Sequence, residues 1–294
     1  HRSLELMAKK PRNAERINNL VVVSDLHAGC RLGLCPPTPV RLDDGGHYTA
    51  SEFQQKMWSL WLEFWREWVP EATRGEPYDV VVNGDALDGV HHNSTTQISN
   101  NFEDQIRIAD AILRPVVDKC KATGGAYFHV RGTEAHVGKS GIYEEQLAQR
   151  LGAKPNGLSQ YARWDLWKRV GGDGGPLVHL LHHVGTSGSA AHEASAVNAE
   201  LTASFVEAAR WNREPPTYIV RSHRHRFIAV DISAFNGYAG AIVTPAWQGK
   251  TPFAFKVPGA RLSEPQIGGV LIRRGDEEHF YRRFVKSFDR SPEE

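Results

Sequence analysis

The sequence of 294 residues has little of what marks disulfide-rich, membrane-spanning or strongly charged proteins. Its three cysteines, Cys30, Cys35 and Cys120, are odd in number and form no CxxC pair, so neither a disulfide framework nor a thiolate zinc site is indicated. No apolar run approaches the roughly 20 residues that cross a bilayer, and the start of the chain lacks the apolar core of a signal peptide. These absences predict a cytoplasmic protein with reduced thiols and no membrane partner.

Surplus charge is also missing, because 35 Lys and Arg residues balance 34 Asp and Glu residues to a net charge of +1. This balance disfavours a strongly basic binding surface, although a local basic groove for nucleic acid remains compatible with it. With 40% hydrophobic residues, the chain has enough apolar surface to exclude a disordered protein. We expect one domain over residues 20–288, a segment over 1–19 that is partly left over from cloning, and a frayed tail over 289–294.

Buried strands alternate with amphipathic helices in the first half of the chain. Apolar runs at residues 20–23, 79–83 and 126–130 are typical of parallel strands that are covered on both faces. The tryptophans of residues 58–68 recur at helical spacing, which favours a helix packed on a sheet over a surface for a partner. The order strand, helix, strand, helix, strand predicts a parallel sheet with helices on its faces.

The second half of the chain is richer in short strands. They are predicted at residues 177–181, 218–220, 226–232, 238–243, 269–273 and 279–284, with an alanine-rich helix from about residue 190 to 211. Their spacing suggests a second, mixed or antiparallel sheet. Because no repeat or linker separates the halves, one domain with two sheets is favoured over two domains.

Six potential metal ligands follow predicted strand ends. They are Asp25 and His27 after the first strand, Asp85 after the second, His182 after residues 177–181, and His223 and His225 after residues 218–220. The carboxyl ends of parallel strands meet at one edge of a sheet, so we expect these side chains to converge in one crevice. Two carboxylates and four imidazoles suit two divalent transition-metal ions, with one carboxylate bridging them.

Such a pair of ions suits chemistry at phosphorus. Two ions about 3.5 to 4 Å apart clamp a phosphoryl group for in-line displacement, and a water between them supplies hydroxide near neutral pH. Two dications outweigh the negative charge of two aspartates and one hydroxide, so the centre attracts an anionic phosphoryl group. The sequence has no comparable set of residues for thiolate chemistry or for a Ser-His-Asp relay.

Taken in order, these motifs resemble a known family. The motifs are Asp25-Leu26-His27, Gly84-Asp85-Ala86-Leu87-Asp88, the strand-end His182 and His223-Arg224-His225. They resemble the calcineurin-like metallophosphoesterases, in particular bacterial or phage-associated members. The resemblance implies a four-layer α/β/β/α sandwich of two mixed sheets flanked by helices, with the second sheet supplied by the C-terminal strands.

The resemblance also implies a set of ligands for two ions, of which Mn is favoured over Fe, Zn, Co or Ni. Asp25, His27 and His225 would hold the first ion, Asp85 would bridge, and His182 and His223 would hold the second. His183 could exchange with His182 as the ligand. Asp88 would orient the site by accepting a hydrogen bond from a ligand.

The sequence departs from the family at the third motif, where Gly132-Thr133-Glu134-Ala135-His136 replaces the usual Gly-Asn-His. Thr133 takes the position of an asparagine ligand and is a poor neutral ligand. Two interpretations follow. In the favoured one, His136 takes over as ligand or general acid. In the other, the second metal binds weakly and the protein is slow or inactive.

The sequence therefore predicts a phosphoester hydrolase, with phosphodiesters ahead of monoesters, in which a metal-bridging hydroxide attacks phosphorus in line. His136 and Asp85 are the expected catalytic residues, and His91, Arg131 and Arg224 are candidate contacts to the substrate. Whether the substrate is a small-molecule phosphodiester or a nucleic acid stays undecided. A non-catalytic binding platform on the same fold is the alternative from another class, and the oligomeric state is left open.

Overall fold

A computed structural model describes residues 16–91, 93–185, 190–234, 237–257 and 260–288 of the chain. The expected N-terminal segment lies outside these ranges up to residue 15, and the expected tail at 289–294 lies wholly outside them. Within the described ranges, no helix combines the length and the apolar character that crossing a membrane requires.

The described residues form thirteen strands and six α-helices. The strands are β1 (Asn19–Val23), β2 (Val40–Arg41), β3 (His47–Tyr48), β4 (Asp79–Asn83), β5 (Tyr127–Val130), β6 (Ala162–Arg163), β7 (Asp165–Arg169), β8 (Leu177–Leu181), β9 (Tyr218–Arg221), β10 (Ile228–Ala234), β11 (Gly237–Val243), β12 (Ile267–Arg274) and β13 (His279–Lys286). The helices are α1 (Glu52–Glu63), α2 (Val69–Ala72), α3 (Phe102–Ala122), α4 (Glu134–Val137), α5 (Ile142–Arg150) and α6 (Glu193–Arg210). Short 3-10 turns lie at Lys139–Gly141, Ala190–His192 and Ala254–Lys256, and a π-helical turn at Phe64–Trp68 joins α1 to α2.

The strands form two main sheets and a small hairpin of β2 and β3. The first sheet has the order β13-β12-β1-β4-β5-β6, and its neighbours from β1 to β6 are parallel. The second sheet has the order β10-β11-β9-β8-β7, and it mixes parallel and antiparallel pairs. Both sheets are therefore mixed, as predicted.

The last two strands belong to the first sheet, so the prediction that they form part of the second sheet was wrong. β12 pairs antiparallel with β1, with Val22 opposite Val270, and β13 pairs with β12. The physical reason lies in β1, which is buried along its whole length. β4 pairs with only one edge of β1. The backbone groups on the other edge of β1 need hydrogen-bond partners, and β12 supplies them.

Three apolar clusters divide the molecule into four layers. The outer face of the first sheet packs on α1, α3 and α5, with Trp61 in that cluster. Val22 of the first sheet and Val220 of the second share the cluster between the sheets. The outer face of the second sheet packs on α6, where Val197 and Ile219 share the third cluster. The predicted four-layer α/β/β/α sandwich is confirmed.

The helical region of the tryptophans packs as predicted on the first sheet. Ser51 caps α1 in a reciprocal pair with Gln54, which explains why the helix begins there. Trp61 and Trp65 are buried in the same cluster as the sheet. The tryptophan stripe is therefore core rather than a docking face.

Buried polar side chains join the two sheets at the ends of their strands. The amide of Asn83, the last residue of β4, donates to Ser222 Oγ at 2.7 Å. Ser222 Oγ and Ser24 Oγ each lie 2.7 Å from Thr244 Oγ1. These bonds place the loops that follow β1, β4 and β9 next to one another.

Candidate metal centre

The predicted ligands lie in loops that are bonded to one another through their backbones. The Asp25 N–H donates to the Gly84 carbonyl at 2.9 Å, and the His27 N–H donates to the Asp85 carbonyl at 3.0 Å. Five of the six ligands also have a positive φ between 45° and 71°, namely Asp25, His27, Asp85, His223 and His225. Because non-glycine residues rarely adopt this conformation, the surrounding structure must hold them in it.

Asp25, His27 and His225 form the first cluster. Asp25 Oδ1 lies 3.3 Å from His225 Nε2 and 3.9 Å from His27 Nε2, and the two imidazole nitrogens lie 3.2 Å apart. Nitrogen and oxygen ligands about 2.1 Å from one ion lie roughly 3.0 to 3.4 Å apart in a tetrahedral or cis-octahedral site. Asp25 Oδ1 is buried, and no described residue gives it a well-aligned hydrogen bond. A cation between these three atoms would satisfy it.

Asp88 fixes the orientation of His27. Asp88 Oδ1 lies 3.2 Å from His27 Nδ1 and accepts from the Gln248 side chain at 3.3 Å, while Oδ2 accepts from Gln97 at 2.9 Å. Because a carboxylate accepts the bond, the proton of a neutral His27 lies on Nδ1 and Nε2 presents its lone pair to Asp25 and His225.

Asp85, His182 and His223 form the second cluster. His182 Nε2 lies 3.0 Å and His223 Nδ1 3.9 Å from Asp85 Oδ2. His182 Nδ1 donates to the Asn83 carbonyl at 2.7 Å, which leaves Nε2 for a metal. His183 is exposed, and its Nε2 lies 3.4 Å from the Thr133 hydroxyl. Of the two neighbouring histidines, His182 is therefore the one that contacts the Asp85 carboxylate.

The two clusters adjoin. Asp25 Oδ1 lies 4.0 Å from His182 Nε2, so this oxygen is close to ligands of both clusters. Asp85 Oδ2 of the second cluster lies 4.0 Å from His136 Nε2. Six side chains from remote positions therefore share one site, and the bridging role of Asp85 stays a prediction.

The altered third motif lies against Asp85. The backbone N–H of Thr133 donates to Asp85 Oδ1 at 2.7 Å, and its hydroxyl donates to Oδ2 at 3.2 Å. His136 Nδ1 donates to the Asp88 carbonyl at 2.6 Å, so its Nε2 carries the lone pair. Together with His27 and Asp88, His136 forms a third group that could hold a metal. Burial lowers the pKa of His136 to about 4, against the opposing effect of Asp85. This imidazole is therefore neutral near pH 7 and can offer its Nε2 lone pair, and its role as ligand or general acid stays a prediction.

Buried charges dominate the electrostatics of the site. Burial alone would raise the pKa of Asp25, Asp85 and Asp88, but the histidines that contact them hold all three well below the usual value. Burial opposes the protonation of His182, yet Asp85 and Asp25 raise its pKa to about 10. The buried carboxylates thus stabilise a positively charged imidazole between them, and they would stabilise a metal cation in the same way.

The candidate substrate contacts divide into two groups. His91 and Arg224 line a cavity of about 550 Å³ that opens beside both clusters. Arg131 is buried and is not among the described residues that line it. Its guanidinium donates to the Ala162 carbonyl at 2.8 Å and lies 3.2 Å from Glu145, so it has partners within the protein. Contact of Arg131 with a substrate stays a prediction that this arrangement does not favour.

Glu144, which is not among the predicted site residues, joins the loops of the second and third motifs. Its fully buried carboxylate accepts from the Ala86 N–H at 2.9 Å and from the Gly132 N–H at 2.6 Å. His129 Nε2 lies 3.3 Å from the same group. Glu144 lies in the first turn of α5, where acidic residues are common, so no local signal marks it.

The chain matches no protein-family profile and no curated protein. Three solved structures with a similar course of the chain are Vacuolar Protein Sorting 29 from Cryptosporidium parvum, protein TM1076 from Thermotoga maritima and the sulfate thiohydrolase SoxB from Thermus thermophilus in complex with glycerol. The first has 11% identity and a TM-score of 0.32 over 93% of this chain and 100% of its own. The second has 11% and 0.35 over 92% and 100%, and the third 12% and 0.37 over 95% and 58%. The likeness is remote, so the chemistry has to be inferred from the site itself.

Proposed function

We propose that the protein is a phosphoester hydrolase that depends on two divalent metal ions and prefers phosphodiesters. The observation that carries this proposal is the pair of adjoining carboxylate and imidazole clusters beside one cavity. The mixed oxygen and nitrogen donors suit Mn, Fe, Zn, Co or Ni, and Mn is the first candidate. When bound, such ions polarise the phosphoryl group and acidify a water.

The residues of the centre have separate tasks. Asp25, His27 and His225 would hold one ion, and Asp85, His182 and His223 would hold the other, with Asp85 as the proposed bridge. Asp88 and the Asn83 carbonyl fix the ring orientations of two of the imidazoles, His27 and His182. Binding of an ion would displace the Nε2 proton that the raised pKa of His182 retains at neutral pH. The buried Asp25 Oδ1 supports a resident cation most directly.

His136 compensates in this proposal for the missing asparagine. Its Nε2 is directed toward Asp85 Oδ2, while Thr133 uses its backbone N–H and hydroxyl to position that carboxylate. We assign His136 the role of an added neutral ligand beside the second cluster. Removal of its imidazole should weaken metal binding more than it alters the protonation of the leaving group.

The preference for diesters follows from the cations around the cavity. Arg226 lies 2.9 Å from Glu193, and Lys250 lies 3.3 Å from Glu264, so acidic partners already offset two of the cations that line the cavity. Arg224 also lines the cavity, and its guanidinium donates to the Gly185 carbonyl. A diester monoanion needs less compensating charge beyond the metals than a monoester dianion does.

Hydrolysis of bis-p-nitrophenyl phosphate with added Mn(II) tests the proposal. The wild type should show metal-stimulated turnover, and Asp85→Ala should lose about a hundredfold or more, because the second cluster loses its carboxylate. Asp118→Ala is the matched control, since Asp118 is exposed on α3. Equal turnover in Asp85→Ala would show that the proposed bridge is wrong.

A non-catalytic binding platform is the second candidate, and the observation in its favour is Thr133. Its hydroxyl is engaged with Asp85 at 3.2 Å and offers no amide oxygen to a metal. The two candidates differ in one measurement. A wild-type protein that binds two ions but gives no metal-stimulated turnover of mono- and diesters would favour the platform.

A further inference from the structure

Part of the lining of the cavity beside the metal centre is an apolar wall. This wall consists of Val184, Phe253, Ala254, Val257, Ala260 and Pro265. Most of these residues come from the connection between β11 and β12, which is tied to the centre where it begins. The Trp247 N–H donates to the Asp25 carbonyl at 2.9 Å, and the Gln248 side chain donates to Asp88 at 3.3 Å.

The charges along this wall are largely compensated within the protein. Arg226 is bound by Glu193, and Lys250 is bound by Glu264 and by the Arg261 carbonyl at 2.7 Å. A nucleic-acid strand carries a phosphate on every nucleotide, so its binding needs several cations that are not already neutralised. The wall therefore suits an uncharged group better than a second phosphate.

We propose that this wall is a subsite for a compact, uncharged and largely apolar substituent of the phosphoester, of about the size of an aryl ring. The inference rests on the proposed function, because the metal centre must hold the phosphoryl group beside the wall. A cavity of about 550 Å³ lies in the range of small-molecule sites. The substrate is then a small diester with one apolar arm, and Phe253 is a specificity residue that contacts this arm.

Calorimetric titration of the Mn(II)-loaded protein with diphenyl phosphate and dimethyl phosphate tests this subsite. The two probes share one charge and one phosphoryl group and differ only in their substituents. We expect diphenyl phosphate to bind about tenfold more tightly, because its rings bury apolar surface. Phe253→Ala should remove most of that difference and leave the affinity for dimethyl phosphate unchanged.

Leu262→Ala is the matched control, because Leu262 belongs to the same connection, is 84% exposed and is not among the described residues that line the cavity. Equal affinity for both probes, or an equal loss for both in Phe253→Ala, would overturn the subsite and leave the hydrolase proposal intact. Tighter binding of a single-stranded oligonucleotide than of diphenyl phosphate at physiological salt would overturn it as well. Binding that depends on Phe253, without turnover of any diester, would support the subsite and refute the hydrolase.

Discussion

Replacement of Glu144 by glutamine tests whether one buried carboxylate holds two loops of the metal centre together. Its two oxygens accept from the Ala86 N–H at 2.9 Å and from the Gly132 N–H at 2.6 Å. A glutamine keeps one acceptor oxygen but turns an NH₂ donor toward the second N–H. One buried bond is lost, and two donors then face each other.

The magnitude follows from that loss. Loss of a hydrogen bond to a buried carboxylate, together with the donor that is left unsatisfied, lowers the free energy of unfolding by about 3 kcal/mol. For a chain of this size that corresponds to a fall in Tm of roughly 5 to 10 °C. Because Ala86 and Gly132 adjoin Asp85 and Thr133, we also expect the affinity for one Mn(II) ion to fall by about tenfold or more.

Thermal unfolding and Mn(II) titration of the same preparation measure both effects. Glu145→Gln is the matched control, since Glu145 lies on the same helix and accepts from the N–H groups of Tyr161 and Ala162. Both variants should be less stable, but only Glu144→Gln should bind Mn(II) more weakly. A wild-type Tm and metal affinity in Glu144→Gln, or equal metal loss in Glu145→Gln, would refute the assigned role.

Two further predictions concern the third motif and the pH dependence of stability. A Cβ at Gly132 would lie 2.1 Å from Asp85 Oδ1, so Gly132→Ala should lower both the Tm and the Mn(II) affinity. Gly157→Ala is the control and should change neither, because a Cβ there meets open space. Equal effects of the two substitutions would contradict the close contact between Gly132 and Asp85. Burial, with Arg221 as a second cause, lowers the pKa of His179 from 6.5 to about 4, so the stabilisation by its neutral form is present above pH 6.5 and is lost as the pH falls toward 4. His179→Phe, which can keep the stack on Trp167, should therefore show a smaller fall in Tm over that window than the wild type, and an equal fall would show that His179 is not the group responsible.

The sequence allowed the central strands to be predicted because they are buried on both faces. The consecutive valines of β1 and β4 are typical of parallel strands that are covered on both faces. Sheet membership of β12 and β13 could not be predicted, since pairing joins positions such as Val22 and Val270 that are far apart in the chain. The short strands β6 and β7 carry too few apolar residues to give a periodic signal.

The metal centre could be predicted where its residues follow strand ends, because the topology brings those ends together. The roles of Glu144 and Gln248 depend on contacts across 58 and 160 residues of sequence, so no motif contains them. Arg131 follows a strand end as the ligands do, yet its side chain is bound to Glu145 and to the carbonyl of Ala162. Position at a strand end thus predicts proximity to the site but not the direction of a long side chain.

The number of Mn(II) ions bound per chain tests the central claim most directly. We predict two ions in the wild type. In His223→Ala we predict one, because this side chain is 41% exposed and its removal should spare the fold while it disrupts the second cluster. A single ion in the wild type, or two ions retained with unchanged affinity in His223→Ala, would contradict a centre built from both clusters.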